Sequence, residues 1–273
     1  MTLPDTTHVD LELNNGVLHA TINRPEVRNA MNTAVLDDIE NMLDAVADDR
    51  SVRAIVLRGA GGNFCAGGDL KEMAQTRFAP TLDQSQDAVA TYSRRFGAML
   101  RKVNTAPQAI IAIIEGAVLG GGFGLACASD VAIAHMDAKF GLPETARGIP
   151  PAQIAPFVVE RIGLTQARRL GVCGARFKGD EALRLGLVHF VVDDEAGIQA
   201  KLDEVLAQIR QCAPGANAVT KDIMQRVGRM DMDEVLDFAA SAFSSCLRGE
   251  EGVEGTTAFI EKRQPRWAVQ DES

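Results

Sequence analysis

The sequence predicts an α/β core followed by a purely helical C-terminal extension. Three observations predict it. Short β-branched runs, VRAIVLRG (Val52 to Gly59) and AIIAIIEG (Ala109 to Gly116), alternate with segments whose apolar residues recur at helical spacing. That alternation continues to about residue 193, the pattern of a sheet covered by helices. From about Ala196 onward no strand signal remains.

Taken in order, VDLELNNGVLHATINRP alternates apolar and polar residues around Asn15-Gly16, a hairpin signal. Met31, Val35, Ile39, Leu43 and Val46 then mark a helix. The run from Val52 to Gly59 is a buried strand, and GAGGNFCAGGD leads from it toward a short helix at Leu70 to Met73. Residues 74–87 are polar and mixed, the composition of a mobile segment. Val89, Tyr92, Phe96, Met99 and Val103 mark a second helix, stopped by Pro107. The strand from Ala109 follows, and AVLGGGFGLACASD (Ala117 to Asp130) carries a second glycine loop into the helix FGLACASD. VAIAHMDAKFGLPE reads as two short strands around a turn. FVVERIGLTQARRLGVCG is helical with a break near Gly163, and KGDEALRLGLVHFVV is a helix capped at Asp180, ended at Gly186, then a strand. Leu202, Val205, Leu206 and Ile209 fit one further helix, and Val235, Phe238, Ala242 and Phe243 another.

Composition narrows the function. At 273 residues the chain supports a large core, in one big domain or a domain with an appendage. A formal net charge of −9 disfavours nucleic acid or an anionic membrane as partner, although a few placed cations could still hold an anionic ligand. Five scattered cysteines with no CxxC spacing fit reduced thiols in a cytoplasm. The four histidines lie far apart, so no metal site is expected. The apolar stretch from Ala106 to Ala134 is interrupted by Glu115, Asp130 and the glycines, which argues against a membrane span.

Each glycine loop follows a strand and precedes a helix, whose first N–H groups lack partners and carry partial positive charge. Two such loops side by side could aim two N–H groups at one oxygen, an oxyanion hole. The same glycines also suit tight turns and close helix packing. A dinucleotide site fits worse, because Phe64 stands where the third glycine of G-x-G-x-x-G belongs, and no Walker lysine follows either loop.

Five segments in order, NRPEVRNAM, GNFCAGGDLKEM, IEGAVLGGGFGLACASD with AKFGLPE, EALRLGLVHFVV and GTTAFIEKRQP, resemble the enoyl-CoA hydratase/isomerase (crotonase) superfamily from about Leu11 to Pro265. The resemblance implies a crotonase-like spiral of ββα units in residues 1–195. It also implies a helical region in 196–273 that forms homotrimers, often paired into hexamers. It implies an acyl-CoA substrate, with coenzyme A as part of that substrate and no separate cofactor. Carried over by position, the backbone N–H groups of Gly68 and Gly121 are the oxyanion donors and Glu144 is the general acid/base. Val27, Arg28, Ala66, Asp69 and Leu70 fall on CoA-contacting positions, and Phe259 and Lys262 on positions that reach a neighbouring subunit's CoA.

One departure stands out. The family's paired hydratases use two glutamates, and the first of these falls on Gly124, which could widen the acyl pocket. A single glutamate suits hydration if another group holds the water, or proton transfer from C2 to C4 of a 3-enoyl-CoA. A non-catalytic acyl-CoA-binding subunit is the third reading. Within the family, FGLPETARGIPPAQIAPFVVERIG is most similar to hydratases of branched glutaconyl-type thioesters of terpene breakdown. Arg147, three residues after Glu144, could pair with the free carboxylate of such a substrate.

Overall fold

The computed structural model describes residues 2–77 and 87–268. Strands β1 (Val9–Asn14) and β2 (Val17–Ile22) form the expected hairpin, with Asn15 at φ 47° and Gly16 at φ 73° in the turn. Helix α1 (Thr33–Val46) starts at Asn32, whose side chain accepts from the Val35 N–H. Strand β3 (Ala54–Gly59) runs parallel to β2. Helices α2 (Leu70–Thr76) and α3 (Ala88–Thr105) are capped by the carboxylates of Asp69 and Asp87. Then come β4 (Ala109–Ile114), β5 (Ala117–Leu119), α4 (Gly121–Ala128), β6 (Val131–His135) and β7 (Lys139–Gly141). Helix α5 (Ala155–Cys173) breaks at Gly163, φ 75°, as its sequence suggests. Strand β8 (Arg176–Phe177), α6 (Gly179–Arg184), β9 (Phe190–Val192) and α7 (Glu195–Gln211) follow. The described chain closes with α8 (Pro214–Arg226), α9 (Met232–Arg248) and α10 (Glu250–Glu261).

The large sheet has the order β1-β2-β3-β4-β6-β9 and is parallel beyond the first hairpin. A smaller sheet has the order β5-β7-β8. Parallel strands covered on both faces read as continuous apolar runs, and β4 does so because alternate residues enter two cores. Ile110, Ala112 and Ile114 join the core with α1, α3 and α4. Ile111 and Ile113 join Ile198, Leu202, Val205 and Leu206 of α7 on the other face.

Strands β6 and β7 stand on either side of a turn as expected, but in separate sheets: β6 lies between β4 and β9, and β7 between β5 and β8. Other expectations need correction. Asp180 does not cap α6, which begins after Lys178 and holds Asp180 in its first turn. Helix α7, with which the expected helical region begins, covers one face of the large sheet. In the stretch expected to be mobile, Ala74 to Thr76 extend α2, and residues 78–86 lie outside the described residues. Helices α8 and α10 and the short strands β5 and β8 are elements the sequence reading did not separate. Beyond α7, large apolar side chains stay exposed, among them Leu236, Phe243, Val253 and Ile260.

Candidate active site

The first glycine loop lies along β5. Cys65 bridges to Val118 and Gly68 to Met31, and Leu119 N donates to Cys65 O at 3.0 Å. This brings Gly67 against the second loop. A Cβ at Gly67 would stand 2.9 Å from Leu119 O and 3.4 Å from Gly121 N, and its φ of +106° suits only glycine. The four glycines of the second loop are bare for four different reasons. A Cβ at Gly120 would lie 2.7 Å from Glu144 Oε1. One at Gly121 would lie 2.5 Å from Phe96 Cζ, and one at Gly122 would strike the backbone and Cβ of Cys65. One at Gly124 would enter Ile154, 2.8 Å from its Cβ. Gly121 opens α4, where N–H groups have no partner within the helix. Among the described residues, neither the Gly68 N–H nor the Gly121 N–H has a hydrogen-bond acceptor.

Glu144 is delivered by the small sheet. Gly120 N donates to Gly141 O at 3.1 Å at the end of β7. Three residues later the Glu144 carboxylate rests on Gly120, whose Cβ position is also 4.0 Å from Gly67 Cα. The side chain is half-buried, and its Oε2 is buried with no hydrogen-bond partner. Loss of water raises its pKa above the ordinary carboxylate value, while its own backbone N–H and Arg147 pull the other way. A buried, unpartnered carboxylate oxygen costs free energy, and native proteins keep such atoms mainly where chemistry uses them. The Arg147 guanidinium is exposed and has no ion-pair or hydrogen-bond partner among the described residues.

Gly124 does not widen a pocket. Its space is filled by Ile154, with Leu100 Cδ1 3.3 Å from the same Cβ position. Phe96 and Met31 lie against Gly121. Sequence reasoning missed these apolar side chains around the α4 glycines, because no local signal marks a residue that fills another's vacancy across the chain.

The expected CoA positions divide into two groups. Val27 ends an exposed 3-10 turn, Arg28 follows in the left-handed region at φ 52°, and Arg28 O accepts from Ala66 N at 2.9 Å. Arg28, Lys139, Arg176 and Lys178 line a cavity of about 400 Å³, with Leu119 and Phe140 behind them. Lys178 pairs with Asp137 at 2.7 Å, while the other three cations have no ion-pair partner among the described residues. Asp69 is used internally. It caps α2 and pairs with Arg24 at 3.0 Å, so its side chain is not free for a ligand. Burial alone would raise its pKa, but Arg24 and the N–H groups of Glu72 and Lys71 outweigh this and hold it low. Leu70 is exposed beside it. Buried Asn29 locks the loop below by donating to Ala60 O and Asn63 O at 2.8 and 2.6 Å. Phe259 is 85% exposed near the end of α10, and Lys262 ends that helix at φ 56°, so within one chain the Phe259 ring covers neither glycine loop.

The chain is similar to known proteins along nearly its whole length. A family model described as enoyl-CoA hydratase/isomerase matches residues 12–270. A short-chain-enoyl-CoA hydratase of Clostridium acetobutylicum is 33% identical over 267 residues, covering 93% of this chain and 97% of that protein. The solved structure of Pseudomonas aeruginosa AtuE is 55% identical with a TM-score of 0.93, covering 96% of this chain and all of that one. An enoyl-CoA hydratase/isomerase from Marinobacter aquaeolei is 50% identical with a TM-score of 0.92, covering 96% of this chain and 99% of that one. With its two unpaired loop amides, its desolvated glutamate and these relatives, the chain belongs to the enoyl-CoA hydratase/isomerase family of the crotonase superfamily.

Proposed function

We propose that this chain adds water across the C2–C3 double bond of a 2-enoyl-CoA, its substrate being a branched glutaconyl-type thioester such as isohexenylglutaconyl-CoA. The observation that carries the reading is the Glu144 carboxylate, desolvated and unpartnered, set against Gly120 where the two loops meet. The N–H groups of Gly68 and Gly121 hold the thioester oxygen as negative charge grows on it, each donor worth about 3 kcal/mol in the transition state. Glu144 takes one proton from water while the water oxygen bonds to C3, and the π electrons move to the thioester oxygen. Glu144-H then gives its proton to C2 as the enolate collapses, and the carboxylate is regenerated. A pKa raised by burial suits a group that both takes and returns a proton.

The phosphates of CoA need local cations in a chain of net charge −9. Arg28, Lys139 and Arg176 offer three around one cavity that Leu119 connects to the second loop. Arg147 supplies an unpaired guanidinium for the carboxylate of a glutaconyl group. The exposed apolar side chains of α9 and α10, with Phe259 and Lys262, suit a homotrimer or a hexamer in which these residues approach a neighbour's CoA.

Ile154 in the space beside Gly124 favours a second reading, isomerisation of a 3-enoyl-CoA by Glu144 alone, since it leaves no room there for another carboxylate. Incubation with 2-enoyl-CoA and with 3-enoyl-CoA separates the two: 3-hydroxyacyl-CoA from the first supports hydration, and only conjugated product from the second supports isomerisation. Arg147→Ala is expected to lower kcat/KM for glutaconyl-type thioesters more than for crotonyl-CoA. Equal losses would remove Arg147 from substrate choice.

A further inference from the structure

We propose that Gln153 holds the attacking water, in place of the carboxylate missing at Gly124; this rests on the hydratase reading above. Helices α3 and α4 meet along a seam where Phe96 packs on Gly121 and Leu100 approaches Gly124. Residues 153 and 154 enter this seam side by side. Ile154 fills the space at Gly124, and the Gln153 carboxamide lies on Gly97, where an added Cβ would collide with its Oε1 and stand 3.0 Å from its Cδ. Gly97 follows Phe96 on α3, so the carboxamide lies at about the level of the Phe96–Gly121 contact, on the adjoining face of that helix.

The Gln153 side chain is half-buried and makes no hydrogen bond among the described residues. It is held in place without one. Pro150 and Pro151 stiffen the preceding turn, Ala155 N donates to Pro151 O at 3.0 Å, and α5 begins directly after Ile154. A carboxamide can accept one water proton in a hydrogen bond and donate to the water oxygen, but it takes up no proton. Gln153 therefore orients the water while Glu144 alone carries the proton from it to C2.

The test uses the full-length enzyme with crotonyl-CoA and a C3-branched 2-enoyl-CoA. Gln153→Ala is expected to lower kcat for hydration about 100-fold with little change in KM, the size of loss that follows misplacing one reactant. Exchange of the C2 protons of butyryl-CoA in D2O needs Glu144 and the loop amides but no attacking water, and it should continue at the wild-type rate. Gln153→Asn, which keeps the amide but shortens its reach, should fall between the two, and Gln153→Glu should restore hydration with a new pH limb. Hydration by Gln153→Ala at the wild-type rate overturns the proposal while leaving the hydratase reading intact. So does a parallel loss of hydration and exchange, which marks a purely structural role. A wild-type enzyme that exchanges C2 protons yet hydrates no enoyl-CoA overturns both.

Discussion

Two glutamates of this chain are treated in opposite ways. Glu254, within α10, is bound by both guanidinium nitrogens of Arg263 at 2.7 and 3.0 Å and by the Arg266 N–H at 2.8 Å. Those partners hold its carboxyl down to about 2. Glu144 has lost water and gained no partner for Oε2, and its carboxyl is pushed up instead. The first arrangement fastens α10 to the segment after it. The second keeps a carboxylate uncommitted beside two unpaired amides. Only a group whose charge is poorly stabilised exchanges a proton readily near neutral pH, so the unsatisfied glutamate is the one fit for chemistry.

The largest effect that tests this contrast is at Glu144 itself. Glu144→Gln keeps the shape and removes the base, and kcat for enoyl-CoA turnover should fall by about 10²- to 10⁴-fold while acyl-CoA binding measured by calorimetry persists. A variant that turns over normally would show that this carboxylate does not move the proton. Next, Gly120→Ala places a methyl group 2.7 Å from Glu144 Oε1 at a residue with φ +50°. It should cost about 100-fold in kcat by displacing the carboxylate, and lower the thermal midpoint as well. Gly124→Glu would force a side chain into Ile154, and overpacking alone should destabilise the protein by about 1–3 kcal/mol in denaturant titrations. Combining it with Ile154→Gly should recover much of that loss, since the two positions share one space.

The smallest effects are in pH dependence. Because the folded-state pKa of Glu144 is raised, its ionisation opposes folding, and the acid limb of kcat/KM should lie above the ordinary carboxylate value of 4.5. Glu254 behaves inversely. Its folded pKa is depressed, so its contribution to stability is present above pH 4.5 and is lost as pH falls toward about 2. Glu254→Gln should lower stability at pH 7 and flatten the stability–pH curve across that window, with no change in kcat. An altered kcat would mean that α10 reaches the site.

Local signals carried much of the fold. The Asn15-Gly16 turn, the α1 periodicity and the Gly163 break each depend on residues close together in the chain, and each stands where the pattern placed it, except that Met31 precedes α1 and bridges to Gly68 instead. Strands β5 and β8 span three and two residues, too few for any alternation to register. The separation of β6 and β7 into two sheets depends on partners far away in sequence, β9 and β8, which no short window contains. Within the site, Glu144 and the glycine loops were legible because short motifs hold them. Arg176 and Lys178 were not, because only the small sheet brings them beside Arg28.

By itself, then, the sequence determined where the chain turns, which stretches are buried on both faces, and which acid follows the second glycine loop, since all of these follow from neighbouring residues and their periodicity. Tertiary structure alone decided what each bare glycine makes room for: a carboxylate at Gly120, an aromatic ring at Gly121, a loop backbone at Gly122, an isoleucine at Gly124. A glycine records that a side chain is absent. Which group takes the space depends on how helices and loops distant in the chain pack against it.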